Sequence, residues 1–262
     1  MLKFLKLGGS LITDKANAQT IRPDLIQRTA REIAEALDER ADLSLVIGHG
    51  SGSFGHTMAK QYGTQNGVRG HDGWRGFARV ATVAAKLNQI ILESLDEAGV
   101  PVFRIQPSAS AVSSYGRLES MSVRPIEVAL REGLAPLVYG DVSIDEQQGG
   151  TIISTEALFA YLAPVLKPHQ ILLAGDYDGV LDSDGKVIPL ITPKSLPEID
   201  QMLGGSAWTD VTGGMAGKVR AMLDLCGQTQ GMSVHIFSGH EPGQIRQSLV
   251  AEYVDIGTKL SI

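Results

Sequence analysis

Residues 2–10, LKFLKLGGS, join a short apolar run to a glycine pair and a serine. An apolar run of this length that ends at glycines is typical of a buried strand followed by a tight turn. Lys6 interrupts the run, and a charged side chain is costly to bury without a partner or a ligand. The stretch therefore predicts a buried strand, Leu2–Leu7, that places a functional lysine beside a glycine-rich loop.

Apolar runs of the same kind alternate with segments of helical period along the chain. The further runs are Leu43–Gly48, Pro101–Ile105, Ala135–Tyr139, Gln170–Ala174, Ser233–Phe237 and Tyr253–Gly257. The helical segments are Asp24–Arg40 with Asp24 as its cap, Gly73–Ala98 with Gly99 at its end, and Gly214–Gly227. Residues 141–153 carry Gln148-Gly149-Gly150 between alternating runs, which predicts a β-hairpin. Nearly continuous apolar strands that alternate with helices predict a mainly parallel sheet covered on both faces, a three-layer α/β/α sandwich.

The composition fits one globular domain and excludes several classes of partner. The 262 residues are 43% hydrophobic and show no linker or repeat, so we expect a single domain over 1–262. A net charge of −6 predicts no general attraction to nucleic acid or to an anionic membrane. No run reaches the ~18 apolar residues of a membrane span, and the first run, broken by Lys6 and Gly8, does not fit a signal peptide. The single cysteine, Cys226, excludes an intrachain disulfide and favours a reducing compartment, the cytoplasm.

Three glycine-bearing loops follow strand-like runs, where open α/β sheets bind their ligands. Glycine lets backbone N–H groups approach a phosphate closely, and a following helix N-terminus adds a positive dipole. Any one of these loops could be an ordinary turn, but three of them, two with a lysine, indicate a phosphate site. The loops are Lys6–Ser10, Gly48–His56 and Asp210–Lys218.

Other ligand motifs fit these loops less well. The second loop matches the dinucleotide-binding pattern G-x-G-x-x-G. Such a site also needs an acidic residue at the end of the next strand, and the one candidate, Asp72, lies in a polar stretch with no strand before it. The third loop resembles a P-loop at Lys218, yet Val219 stands where the magnesium-binding hydroxyl would be. Asp176 and Asp178 lack the further ligands of a calcium loop. We therefore expect no metal site built from side chains alone.

As a set, the loops resemble those of the amino acid kinase family. The opening Lys-Leu-Gly-Gly-Ser, the Asp-Tyr-Asp-Gly-Val at 176–180 and the Asp-Val-Thr-Gly-Gly-Met before Lys218 stand in the family's order over nearly the whole chain. Within that family, Gly-Ser-Phe-Gly-His at 52–56 and Thr13-Asp14-Lys15 are similar to the isopentenyl phosphate kinases. Fosfomycin kinases share much of the pattern. The resemblance implies the amino acid kinase fold, with an acceptor-binding lobe (about 1–165) and a nucleotide-binding lobe (about 166–262), in a homodimer.

The resemblance also implies a reaction. The chain would be a phosphotransferase that uses ATP and Mg²⁺ to convert isopentenyl phosphate to isopentenyl diphosphate, with release of ADP, in isoprenoid biosynthesis. One alternative is another small-molecule kinase of the same fold, with fosfomycin as the first acceptor to consider. The other is a non-catalytic nucleotide-binding protein.

Individual roles follow from the resemblance alone. Lys6 and Lys218 would contact the transferred phosphate, Lys15 would close over it, and His56 would hold the acceptor's phosphate. The expected catalytic residues are Lys6, Lys15, His56, Glu156 and Lys218. The expected ATP-binding residues are Lys6, Gly8, Gly9, Ser10, Gly52, Asp176, Gly179, Gly214 and Lys218. The expected acceptor-binding residues are Ser51, His56 and Thr155.

Two departures from the family pattern concern this site. Ser51 replaces a glycine and adds a side chain beside the acceptor phosphate. The family's Ser-Gly-Asp reads Ser154-Thr155-Glu156 here, where the acidic residue orients the catalytic lysines in relatives. Glu156 keeps the charge with one more methylene, which leaves the geometry open, and Thr155 leaves open a backbone contact to the acceptor.

The chemistry of phosphoryl transfer calls for cations rather than a base. Its transition state spreads negative charge over the moving group, so catalysis is mostly positioning and charge stabilisation. A phosphate monoester has a pKa near 6 and already presents an anionic oxygen. A protonated His56 would therefore hold the acceptor rather than deprotonate it, although a structural histidine is the alternative. The other histidines (His49, His71, His169, His235 and His240) show no metal-ligand spacing and are expected to be ordinary.

A prenyl group would also need an apolar slot. Phe77, Val80 and Ala84 fall on one face of the helix that follows the second loop. They either pack on the sheet or form a wall of that slot, and the sequence alone is compatible with both arrangements.

Overall fold

The computed structural model describes residues 1–14, 16–204 and 214–262. Its strands, numbered along the chain, are β1 (Leu2–Leu7), β2 (Ser44–His49), β3 (Val102–Arg104), β4 (Val112–Ser114), β5 (Arg117–Ser120), β6 (Ala135–Tyr139), β7 (Asp141–Asp145), β8 (Gly149–Ile153), β9 (Gln170–Gly175), β10 (Leu190–Ile191), β11 (Ser233–Ser238) and β12 (Thr258–Leu260). The helices are α1 (Gly9–Ile12), α2 (Pro23–Glu39), α3 (Gly52–Tyr62), α4 (Gly70–Glu97), α5 (Arg124–Arg131), α6 (Thr155–Leu166), α7 (Leu196–Gly204), α8 (Gly214–Gln228) and α9 (Gln244–Val250).

The main sheet of the described chain has the strand order β10-β12-β11-β9-β1-β2-β6-β3. Its pairs are parallel except β11 with β12. The first strand of the sequence lies in the middle, paired with β2 on one side and β9 on the other. The predicted α/β/α sandwich with a mainly parallel sheet is confirmed, and the strand that carries Lys6 is its centre.

Two apolar cores cover the two faces of this sheet. Alternate residues of β1 enter opposite cores, Phe4 one and Leu5 the other, as the two-residue period of a strand requires. The first core is closed by α5, α6, α7 and α8, and the second by α2, α4 and α9. Each fully buried leucine or phenylalanine contributes roughly 1.5–3 kcal/mol. This packing fixes the ends of the central strands, where the loops begin.

Two predicted helix starts and one predicted strand are wrong. Helix α2 begins at Pro23, and Arg22 rather than Asp24 is its cap residue. Proline has no N–H and a helical φ, so it occupies the first helical position and leaves Asp24 within the first turn. Helix α4 begins at Gly70, three residues before the expected start. The run Tyr253–Gly257 is not a strand: Tyr253 is 85% exposed, and the strand is instead Thr258–Leu260, whose end residues are buried.

A second sheet carries the predicted hairpin. Its order is β5-β4-β7-β8, with β7 and β8 antiparallel as expected. The glycines at 149 and 150 lie in strand β8, not in the turn, which is residues 146–148. The Asp145 carboxylate holds that turn, since it accepts hydrogen bonds from the backbone N–H groups of Gln147 and Gln148. This sheet rests against α4, which follows the second glycine loop.

In the part of the chain that the structure describes, no helix is both long and apolar enough to cross a membrane. The division into two lobes near residue 165 stays a prediction.

Candidate active site

The carboxyl ends of the parallel strands bring the first two glycine loops together. Strands β1 and β2 pair in register up to Leu7 and His49, so the loops that follow them start side by side. A Cβ built on Gly9 would lie 2.5 Å from the amide nitrogen of Gly52, and one built on Gly50 would lie 2.8 Å from the amide nitrogen of Gly9. Both distances are too short for real atoms. The loops therefore touch backbone to backbone, which explains these glycines.

Glu156 lies between the two lysines that come from opposite ends of the sequence. The Lys6 ammonium donates to Glu156 Oε1 at 2.5 Å, and Lys218 Nζ is 3.6 Å from the same oxygen. The three side chains are 11%, 18% and 35% exposed for Lys6, Glu156 and Lys218. Two cations around one carboxylate leave positive charge at the joined loops, where a phosphate would be stabilised.

The local sequence explains how Glu156 reaches this position. Ser154 caps helix α6, and its hydroxyl accepts from the Ala157 amide at 3.1 Å. The cap fixes the first turn of the helix and aims Glu156 at the end of β1. The prediction that Glu156 lies with the lysines is thus consistent with the geometry, in spite of the extra methylene.

The charge state of Glu156 is set by these neighbours. Burial alone would raise its pKa, but the charges of Lys6 and Lys218 and the Lys6 hydrogen bond outweigh burial and lower the pKa to about 2. The carboxylate is therefore anionic across the neutral range. It can orient the lysines, and it is not a general base.

Thr155 has a structural contact that the sequence did not indicate. Its side chain is buried, and its hydroxyl donates to the His49 carbonyl at 2.6 Å. The threonine thus joins helix α6 to the end of β2, and its hydroxyl is occupied. Its role toward an acceptor stays a prediction that would have to rest on its backbone.

The remaining acceptor residues lie around the start of α3. Ser51 precedes the helix, and its carbonyl accepts from the amides of Phe54 and Gly55. Its side chain lies over Gly55, where a Cβ would be only 2.5 Å from the Ser51 Cβ. His56 lies in the second turn of α3, and its side chain is outside the described part. Lys15 also lies outside the described residues.

The predicted nucleotide residues surround the ends of β1 and β9. The Gly8 amide donates to the Ala174 carbonyl at 2.7 Å, and Ser10 is half-buried in α1. Gly214 begins α8 with a φ of +64°, which favours glycine. Gly179 is buried, and a Cβ there would lie 2.7 Å from Thr258 Oγ1, so packing already accounts for this glycine. Residues 210–213 of the third loop lie outside the described part.

Asp176 has partners that the sequence analysis missed. His240 Nε2 is 2.9 Å from Asp176 Oδ1, and the guanidinium of Arg22 is 3.8 Å from it. Arg28 in turn donates to the carbonyls of Gly239 and His240. His240 was expected to be ordinary. The signal that could have found it is its position directly after β11, at the ligand-binding edge of the sheet.

His49 is buried within the second loop and neutral. Its Nδ1 is 3.0 Å from the Gly50 carbonyl and its Nε2 is 3.0 Å from the Asn88 side-chain amide. A carbonyl requires a donor, so Nδ1 carries the proton and Nε2 accepts from Asn88. Burial is the main reason that its pKa falls to about 4. His49 therefore links the loop to α4 and is no ligand for a phosphate.

The apolar face of α4 is divided between two environments. Val80 and Ala84 are buried, whereas Phe77 is half-buried. A Cβ on Gly150 of strand β8 would lie 2.7 Å from the Phe77 ring, and Trp74 meets Phe77 edge-on at 5.3 Å. None of these side chains belongs to either core of the sheet. Phe77 and Trp74 form a separate apolar region between α4 and strand β8 of the hairpin.

Comparisons with known proteins agree on one family. Residues 1–238 match the model of the amino acid kinase family. The chain is 34% identical to the isopentenyl phosphate kinase of Methanocaldococcus jannaschii, over 96% of each protein. It is 37% identical to that of Haloferax volcanii, over 93% of this chain and 98% of the relative. A solved structure described as "X-ray structures of isopentenyl phosphate kinase" superposes with a TM-score of 0.82 at 30% identity and covers 99% of both chains.

Proposed function

The chain belongs to the amino acid kinase family and, within it, to the isopentenyl phosphate kinases, and we propose that it transfers the terminal phosphate of ATP to isopentenyl phosphate. The products would be isopentenyl diphosphate and ADP, within isoprenoid biosynthesis. The single observation that carries the proposal is Glu156 in contact with both Lys6 and Lys218 at the joined loops. This arrangement speaks against a non-catalytic nucleotide-binding protein, which would have no use for an oriented lysine pair.

In this proposal the two lysines stabilise the moving phosphoryl group from two sides. Charge on that group is spread over three oxygens in the transition state, and fixed cations in a poorly solvated site lower its free energy. Glu156 holds the ammonium groups in place through the contacts given above. Lys15 would add a third cation from the segment after α1.

The nucleotide enters as its magnesium complex, which is a substrate. Among the described residues no group of three histidine, cysteine or acidic side chains could cage a metal. Mg²⁺ usually keeps several waters and binds phosphate oxygens with one or two carboxylates, so ATP would carry it. The phosphates would lie along Gly8, Gly9, Ser10 and Gly52, with Gly214 and Lys218 at their far side. Asp176 and Gly179 would border the nucleotide.

The acceptor would bind at the start of α3. His56 would hold its phosphate, beside Ser51 and the first turn of α6 at Thr155. No general base is needed, because the monoester oxygen is already anionic near neutral pH. The apolar region formed by Phe77 and Trp74 against the hairpin supports a slot for the prenyl group.

Two further features belong to this proposal. The protein would act as a homodimer, and it would work in the cytoplasm, in keeping with its free buried cysteine, Cys226.

A coupled ADP-release assay with isopentenyl phosphate, fosfomycin and uridylate tests the substrate assignment. We expect the highest kcat/KM with isopentenyl phosphate. Isopentenol, which lacks the phosphate, should be a poor acceptor. A higher kcat/KM for fosfomycin would preserve the kinase but overturn its substrate, and no ADP release with any acceptor would overturn both.

A further inference from the structure

Thr13 lies at the junction of the two glycine loops and is completely buried. Its hydroxyl donates to the Gly9 carbonyl at 2.7 Å and accepts from the Ser53 amide at 2.9 Å. Gly9 belongs to the loop after β1 and Ser53 to the loop after β2. One hydroxyl group therefore connects both halves of the candidate site.

The contact with Thr13 also determines whether the Ser53 amide can bind a phosphate. It lies in the first turn of α3, where N–H groups have no partner within the helix and are available to a phosphate. Here Thr13 already occupies it. Anion binding at this helix must therefore use the amides before Ser53, at residues 51 and 52.

Gly52 fits the same arrangement. Its φ is +48°, and a Cβ on it would overlap the Thr13 hydroxyl. The threonine thus fills the space that the missing side chain leaves. The two loops cannot approach more closely without overlap of atoms, and they cannot move apart without losing a hydrogen bond.

Thr13 also closes the base of the segment that contains Lys15. It forms an isolated antiparallel bridge with Ile21, and the Asp14 amide donates to the Thr20 carbonyl at 2.9 Å. Next to this base, the Gln19 amide donates to the Ser53 carbonyl of the second loop at 3.4 Å. The threonine is therefore common to the three segments that carry the proposed phosphate contacts.

We propose that Thr13 is a positioning residue that sets the distance between the nucleotide loop and the acceptor loop. It touches neither substrate, and it acts by holding Gly9 and Ser53 in one arrangement. Reacting groups must be aligned within about an ångström, so a looser junction should slow transfer by roughly ten- to hundredfold while each substrate still binds its own loop. This inference rests on the proposed function, which assigns the loop after β1 to the nucleotide and the loop after β2 to the acceptor.

The test compares Thr13→Val, which keeps the shape without the hydroxyl, with Thr13→Ser, which keeps the hydroxyl. Thr29→Val is the matched control, since Thr29 is equally buried in α2 and its hydroxyl has no hydrogen-bond partner among the described residues. Thr13→Val should lower kcat about tenfold or more, with both KM values within about threefold of the wild type. Thr13→Ser and Thr29→Val should keep the wild-type kcat. All rates are measured well below each variant's melting temperature.

Amide hydrogen exchange at Ser53 supplies a readout that does not need the reaction. In Thr13→Val the Ser53 amide should exchange faster, and in Thr13→Ser it should stay protected. Unchanged protection in Thr13→Val would overturn the hydrogen bond, and faster exchange with wild-type kcat would overturn the positioning role. If the wild type turns over none of the acceptors, the proposed function fails, and the Ser53 exchange still decides whether Thr13 joins the loops.

Discussion

Glu156 is the residue on which the site's electrostatics depend. Its carboxylate is 18% exposed, contacts two ammonium groups and takes its position from the cap of α6. Aspartate would be shorter by one methylene, and the longer glutamate side chain still reaches both ammonium groups. The extra length therefore does not separate the carboxylate from either lysine.

Replacement of either lysine should remove charge stabilisation of the transition state. We expect Lys6→Ala and Lys218→Ala each to lower kcat by about a hundredfold or more, with the fold intact. Steady-state kinetics and circular dichroism measure the two effects. Lys86→Ala, on the exposed side of α4, is the matched control and should behave as the wild type. Wild-type turnover in a folded Lys6→Ala variant would remove that residue from the mechanism.

Glu156→Gln should reduce turnover but leave the dissociation constant of ATP nearly unchanged, because the carboxylate orients cations and binds no ligand. Titration calorimetry and steady-state rates separate the two quantities. A loss of ATP affinity as large as the loss of kcat would show that Glu156 acts in nucleotide binding instead.

The same carboxylate should contribute to stability in a defined pH range. Its pKa in the folded chain, about 2, lies below the ordinary value of 4.5, so its contribution is present above pH 4.5 and is lost as the pH falls toward 2. The difference in unfolding free energy between the wild type and Glu156→Gln should therefore shrink as the pH falls from 4.5 toward 2. A constant difference between the two proteins from pH 5 to pH 2.5 would contradict the lowered pKa.

His56→Ala tests the acceptor contact. A charge-assisted hydrogen bond is worth roughly 1.5–3 kcal/mol, so KM for isopentenyl phosphate should rise about ten- to hundredfold and KM for ATP should hardly move. His56→Gln, which keeps a donor without the charge, should fall between. A structural histidine would instead lower the melting temperature and move both KM values together or not at all.

At the scale of single residues, the sequence predicted the chemistry better than the contacts. Lys6 and Lys218 could be chosen because a charge in an apolar strand and a lysine after glycines are unusual, and Glu156 could be chosen from the family resemblance. The contact of Thr13 with Ser53 and that of His240 with Asp176 could not be predicted, because these partners lie 40 and 64 residues apart in the sequence.

The loops are the elements that decide the geometry, and their glycines are needed for close approach. In Gly52→Ala the new methyl group would overlap the Thr13 hydroxyl and lie 2.7 Å from the Gly9 carbonyl oxygen. Gly63, at the other end of α3, has a similar φ of +63° but open space around it. Gly63→Ala is thus a control for the backbone strain alone, which costs about 1 kcal/mol.

We expect Gly52→Ala to lower the melting temperature more than Gly63→Ala and to abolish most of the activity. Gly63→Ala should keep the wild-type kcat. Thermal unfolding and the ADP-release assay measure both. Equal losses of melting temperature and activity in the two variants would mean that the loops are not in close contact at Gly52.

Elements were predictable where burial alone sets the pattern. Strands β1 and β6 have the predicted bounds, because the residues of a buried strand are apolar or, like Lys3 and Lys6, held by specific partners. The prediction of a strand at Tyr253–Gly257 is wrong because these residues form a loop with an exposed tyrosine. Strands β4 and β5 are too short and too polar for a strand period to be visible. Strand β4 pairs with β7 of the hairpin, and β5 pairs with β4.

At the scale of the whole molecule, one parallel sheet places residues from both ends of the chain at a single edge. Lys6 comes from the first strand and Lys218 from a helix more than 200 residues later, yet both reach Glu156. The acidic overall charge, −6, coexists with this local group of cations. An anionic substrate would thus be attracted by the site and not by the surface as a whole.

In the proposed reaction, the terminal phosphate of ATP becomes bonded to the phosphate of a prenyl acceptor. Phosphorus NMR of the wild type with MgATP and isopentenyl phosphate observes that bond directly. We predict that the single resonance of the monoester is replaced by two coupled resonances of a diphosphate, in step with the appearance of ADP. An unchanged monoester resonance, with ATP either intact or hydrolysed to inorganic phosphate, would contradict the transfer of phosphate to this acceptor.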